Sequence, residues 1–187
     1  MTITQTTADE NAPQAAAPAL PPGIDKTHVG AAISKLISAA VGDLVVVMSR
    51  SPGTKFHTLA DIEWLVLPAV LTGQYYVAEL THTEHGVRAP VAVVTWASVS
   101  GEVAARLAGF TGQGMRLKPD EWTSGPHLWL IDLVGEPRAL MGALKAVAEG
   151  PLKGRDVSLM MRGANGEHGV QKLHELIART GSGEPLA

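Results

Sequence analysis

Residues Asp120 to Gly135 read D-E-W-T-S-G-P-H-L-W-L-I-D-L-V-G. Thr123-Ser124-Gly125-Pro126 is turn chemistry: hydroxyls that bond their own backbone, a permissive glycine, then a ring that fixes φ. From His127 to Val134 the pattern alternates and then turns apolar, as a strand entering a core does. Trp122 and Trp129 fall inside the stretch. One carboxylate, Asp132, sits within the apolar run. A buried ionised carboxylate is costly unless it is paired or hydrogen-bonded. It can be a strand-end acid that caps the next turn, or a catalytic or orienting acid. Local chemistry leaves both readings open.

Working outward toward the C-terminus, Glu136-Pro137 opens a helix over Arg138–Glu149, and Gly150-Pro151 ends it. Arg155–Met161 reads as a last strand and Gly163–Gly169 as a loop. Val170–Arg179 reads as a closing amphipathic helix, followed by a loose polar tail over 180–187. Toward the N-terminus lie a Gly-rich loop, Phe110–Pro119, and a helix over Gly101–Ala108 capped by Ser98 or Ser100. Before it, Gln74–Leu80 and Val87–Val99 are strands joined by a turn at His82–Gly86, with Pro90 marking an edge or a bulge. Thr58 and Asp61 form a near capping box for a helix over Leu59–Leu71, which Pro68 should kink or end near Leu67. Ser49–His57 is a loop. Lys26–Met48 carries an amphipathic helix, and its V-V-V run after Leu44 suits helix or strand equally. Residues 1–25 read as a disordered leader rich in Thr, Ala, Gln and Pro. Hairpins and strands interleaved with helices predict one α/β domain over 26–179, with a mixed central sheet flanked by helices.

The 187-residue chain is 45% hydrophobic and 18% charged, a globular composition. A net charge of −3 without a Lys/Arg stripe offers no field for nucleic acid. There is no cysteine, which removes disulfides, thiolate nucleophiles and zinc–thiolate sites. The apolar run Leu65–Leu71 is broken by Pro68 and too short to span a bilayer, and the N-terminus lacks a basic segment followed by an apolar one. A cytoplasmic protein with no membrane span is expected.

Gly109–Gly114 is glycine-rich but lacks the following Lys-Ser/Thr of a phosphate loop, so a connector is the better reading. His82 and His85 lack an obvious third ligand, and no metal site is expected. His57 stands just before the predicted cap Thr58, where a helix dipole would disfavour imidazolium and leave a ring able to accept a proton. Capping or packing is the alternative role for it.

Several blocks in one order resemble the toxin-activating lysine acyltransferases that activate RTX pore-forming toxins. They are S-P at Ser51-Pro52, D-I-E-W-L-V-L-P-A-V from Asp61, G-Q-Y from Gly73, T-W-A-S-V-S from Thr95, and D-E-W-T-S-G-P-H-L-W-L-I-D from Asp120. The resemblance implies a GNAT-like fold, a homodimer and no bound cofactor. It also implies transfer of a fatty acyl group from acyl-acyl carrier protein to lysines of a protoxin. Asp132 falls on the family's functional Asp, and Ser51 on the Ser of its S-P motif. The family's functional His falls on Thr54, so His57, three residues on, is the candidate base. Trp96 and Trp129 are candidates for lining an acyl channel. A non-catalytic relative that binds carrier protein or protoxin, and an acyltransferase for another ribosomal product, are the alternatives.

Overall fold

The structure is a computed structural model that describes residues 26–81, 86–109, 116–162 and 167–181. The leader, the turn at 82–85, the glycine-rich stretch 110–115, the loop 163–166 and most of the tail lie outside the described residues. Contacts divide the chain between Ser34 and Lys35. The described part of the first unit is the start of helix α1 (Lys26–Arg50).

The apolar V-V-V run settles as helix, because its side chains have a helical face to bury. Ala40, Leu44, Val47 and Met48 recur at helical spacing and pack on Leu65, Val66, Val70, Val93 and Val134. By length and composition Val29–Arg50 would suffice to cross a bilayer. The residues from Ala40 to Met48 are committed to this core instead.

The helix expected over Leu59–Leu71 is three short pieces: a 3₁₀ turn at Leu59–Asp61, α2 (Ile62–Leu65) and α3 (Leu67–Leu71). Asp61 Oδ2 accepts from the Thr58 backbone N–H at 2.7 Å, the reciprocal half of a capping box. The break falls at Val66, just before Pro68, whose ring cannot sit inside a continuous helix.

Strand β1 (Tyr75–Thr81) pairs antiparallel with β2 (Arg88–Val99), and the register slips near Pro90. Helix α4 (Gly101–Ala108) is capped by the Ser100 hydroxyl, which accepts from Val103 N–H at 3.3 Å. A second 3₁₀ turn, Pro119–Thr123, leads into β3 (His127–Gly135), antiparallel to β2. Helix α5 (Pro137–Glu149) carries the chain to β4 (Val157–Arg162), which runs parallel to β3. The sheet ends with β5 (His168–Lys172), antiparallel to β4, and α6 (Leu173–Gly181) closes the described chain.

β5 corrects the sequence reading, which put Val170–Lys172 in the closing helix. Val170 pairs with Met160 and Gln171 with Leu159, so the edge of β4 gains a partner that helix would have left unpaired. The result is a five-stranded mixed sheet in chain order, β1 to β5, flanked by helices, consistent with a GNAT-like domain.

Candidate active site

The stretch Asp120–Gly135 is scaffold for most of its length. Glu121 takes a two-pronged bond from Arg106 at 2.9 and 2.6 Å, tying the 3₁₀ turn to α4. Trp122 is buried between Val99, Leu107 and Leu117. Ser124 Oγ accepts from Ser100 N–H at 2.9 Å, and Gly125 N–H donates to Ser98 O at 3.1 Å. A Cβ on Gly125 would stand 2.7 Å from Ser100 Cα, so only glycine lets the turn lie on the end of β2.

Asp132 is aimed by a bulge. Trp96 opposes Leu130 and Thr95 opposes Asp132, so Ile131 is the extra residue on β3. Leu128, Leu130 and Leu133 face the cluster built on α5 and α6. Asp132, next to Leu133, therefore faces the opposite side, with α1 and α2. Its Oδ2 accepts from Thr95 Oγ1 at 3.3 Å, while its backbone N–H donates to the same oxygen at 3.1 Å. Burial raises the Asp132 carboxyl to about 6, opposed by the Thr95 bond and by positive charge on His57.

Past the bulge the sheet opens. The parallel pairing of β3 with β4 ends at Leu130–Leu159. A cavity of about 580 Å³ lies between Ile131–Gly135 and Met160–Arg162. Leu140, Leu144 and Leu176 wall one side, Ser51–Thr54 the other, and Asp132 lines it. Neither Trp96 nor Trp129 does. Both are core residues, Trp96 against Leu144 and Val147 of α5, and Trp129 against α4 and Trp122. The cavity wall is instead leucine and methionine, because the opening lies beyond the last paired residues of β3 and β4.

The loop after α1 is held by its hydroxyls. Ser51 Oγ donates to Val47 O at 2.9 Å and Thr54 Oγ1 to Met48 O at 2.7 Å, satisfying carbonyls at the helix end. The structure thus gives Ser51 and Thr54 a capping duty, and both also line the large cavity. His57 Nδ1 lies 3.0 Å from Thr54 O, which also accepts the His57 backbone N–H at 3.0 Å. A carbonyl only accepts, so the neutral ring carries its hydrogen on Nδ1 and leaves the Nε2 lone pair open. The ring is exposed and meets Trp64 edge-on, centroids 6.0 Å apart.

His57 and Asp132 lie on the same side of the sheet, near enough for the charge of one to act on the other, with no direct hydrogen bond. His57 lines a second cavity, of about 340 Å³, with Met48, Leu59, Asp61, Ile62 and Leu65. Thr54 lines both the cavity that Asp132 lines and the one that His57 lines. The helix whose dipole was expected to act on His57 is only a 3₁₀ turn followed by a four-residue helix. The Thr54 carbonyl, rather than a dipole, sets the ring's tautomer. Among the described residues no group of three or more His, Asp or Glu could hold a metal.

A family model described as the RTX toxin acyltransferase family matches residues 34–175, a span that includes Ser51, Thr54, His57, Thr95 and Asp132. The chain belongs to the RTX toxin acyltransferase family. Its members are acyltransferases, and the family ties this chain to activation of RTX toxins. No curated protein matches the chain. Thr95, bonded to Asp132, and Trp64, edge-on to His57, both fall in blocks that carry the family resemblance, but their side-chain partners are not legible there. Asp61 is legible as a capping residue and as the start of the D-I-E-W block.

Proposed function

We propose that the protein transfers a fatty acyl group from acyl-acyl carrier protein to the ε-amino group of a lysine in an RTX protoxin, acting in the cytoplasm as a homodimer. The observation that carries this reading is the apolar cavity where β3 and β4 part, with Asp132 on its wall and the His57 loop at its edge. Its volume lies within the roughly 300–1,000 Å³ of small-molecule pockets, and its leucine and methionine walls suit an aliphatic chain.

The chemistry needs few parts. A lysine ammonium first gives a proton to solvent, which leaves Nε2 of His57 free, and the amine attacks the thioester carbonyl carbon. The C–N bond forms, the amine's second proton passes to His57, and collapse breaks the C–S bond. The departing thiolate takes the proton from the imidazolium. Asp132 stabilises the imidazolium by charge, through the space that Thr54 borders. No cofactor is resident; the acyl thioester is a substrate.

Incubating the protein with acyl-acyl carrier proteins of defined chain length and a lysine-bearing protoxin fragment, then weighing the products intact, tests the reading. A mass gain of one acyl chain, mapped to lysine, is the expected result. No gain at any chain length would favour the binding-partner reading. The exposed His57 without a direct bond to Asp132, and Thr54 in the family histidine's place, give that second reading its footing.

A further inference from the structure

We propose that Asp61 and the Trp64 ring form the seat for the ε-ammonium of the substrate lysine, and that Arg116 fills this seat in the free enzyme. The inference rests on the lysine acyltransferase reading and goes beyond it by naming the residues that select a cation.

Asp61 is fixed on all sides. Oδ2 accepts from Thr58 N–H at 2.7 Å and from Thr58 Oγ1 at 3.0 Å, and Oδ1 accepts from the Trp64 indole N–H at 2.9 Å. The Thr58 backbone bond, then the Trp64 and Thr58 side chains, hold its carboxyl down at about 2, so it is an anion at any working pH. The Arg116 guanidinium sits 4.4 Å from the Trp64 ring centroid and 3.4 Å from Asp61 Oδ1. A cation over an indole face and beside a fixed carboxylate is the arrangement that recognises ammonium ligands.

The occupant is loosely held. Among the described residues Arg116 makes one ion pair, long at 3.4 Å, and its side chain is 64% exposed. The Arg106–Glu121 pair, by contrast, is two-pronged at 2.9 and 2.6 Å, with its arginine side chain 50% exposed. The second pair is built as a tie; the first is built to exchange. Position adds the rest. The His57 ring meets Trp64 edge-on, and the 340 Å³ cavity lined by His57 and Asp61 has Met48, Leu59, Ile62 and Leu65 for lysine methylenes to lie against. An ammonium in the seat is therefore beside the base that must take its proton.

Trp64 is the half-buried tryptophan, while Trp96, Trp122 and Trp129 are buried, so fluorescence titration reports mainly on the seat. The probe is an acetylated, amidated pentapeptide with one central lysine, and its norleucine counterpart is the control. Arg116→Ala should tighten lysine-peptide binding by roughly three- to thirtyfold, the loss of one exposed ion pair and one cation–π contact as competitor. The same variant should lower KM for the lysine substrate at unchanged kcat. Asp61→Asn should weaken binding and raise KM, and the norleucine peptide should bind neither variant. A gain of affinity in Arg116→Ala cannot come from misfolding. Unchanged binding in both variants, or a fall in melting temperature alone, would mean that the pair is only a structural tie and would overturn the proposal. Lysine-selective binding that responds to both substitutions, without acyl transfer from any donor, would leave the seat standing and sink the acyltransferase reading.

Discussion

Asp132 on the wall of the large cavity and Asp61 at the end of the first 3₁₀ turn both feel the charge of His57, yet their surroundings push them apart. Asp132 has one hydroxyl partner and loses water, and its carboxyl rises to about 6. Asp61 takes a backbone N–H, a hydroxyl and an indole N–H, and its carboxyl falls to about 2. Two carboxylates with diverging environments around one imidazole is how a single site assigns different duties to like groups. Asp132 suits stabilising an imidazolium that forms during reaction. Asp61 suits holding a cation before it.

His57 is the group this comparison turns on, and removing it should have the largest effect. His57→Ala should lower acyl transfer by roughly 10²–10⁴-fold, the usual contribution of a positioned base. The fold should survive, since the ring is exposed, which circular dichroism will report. Placing a histidine at Thr54 in that background should restore part of the rate, because Thr54 borders both cavities. A His57→Ala enzyme that turns over at the parent rate would remove the base assignment and, with it, the shared partner of the two acids.

Asp132→Asn should lower transfer while raising stability. The native carboxyl, at about 6, holds its proton more tightly than an unfolded one near 3.8. Its stabilising contribution is present below about pH 4 and is lost as pH rises through about 6. Above pH 6 the ionised group costs roughly 1–3 kcal/mol, allowing for its contact with the cavity solvent. Asparagine carries no such cost. Chemical denaturation across pH 4 to 8 should show the variant gaining on the parent through this window. A parallel pair of stability curves would mean that Asp132 is better solvated than its burial implies.

The fold could be read from the chain because its punctuation is local. Thr58 with Asp61, Ser100, Pro68 and Gly150 each marked an element end with chemistry confined to a few residues. β5 escaped because Val170–Lys172 has no strand signal of its own; pairing with β4 decides it. At the site, Asp132 was visible as one acid in an apolar run. Its bulge was not, since register depends on β2. Trp96 and Trp129 misled for a related reason: aromatic residues in a strand show apolarity, not which side of an opening they stand on. Arg116 and Asp61 lie 55 positions apart, and only the fold makes them neighbours.

The wall that carries Asp132 depends on one backbone position. Gly135 has φ +133°, and a Cβ there would stand 2.3 Å from Val91 O and 2.5 Å from Ala92 Cα. Gly135→Ala should destabilise by about 1–3 kcal/mol or more, since both the strained φ and the contact must be relieved. Moving the end of β3 should also disturb Asp132 and leave the Asp61 corner intact. The Trp64 fluorescence response to a lysine peptide should persist in this variant while acyl transfer falls. Loss of both together would show that the two regions are one cooperative unit.

The smallest effect belongs to Asp61 as a contributor to stability, and its sign is opposite to that of Asp132. A carboxyl held below its unfolded value stabilises the fold above about pH 4, and the contribution is lost as pH falls toward 2. Asp61→Asn should therefore unfold slightly more easily than the parent at pH 7 and be matched with it near pH 2. The difference stays small, because the bonds lie at the protein surface, where water competes for them. Asn can still accept the Thr58 N–H, so the cap itself is weakened rather than removed. If denaturation curves for parent and Asp61→Asn coincide at pH 7 while KM for the lysine substrate rises, the carboxylate serves recognition alone. If instead stability falls sharply and KM stays fixed, Asp61 belongs with the scaffold, and the contrast with Asp132 is one of structure rather than of catalytic duty.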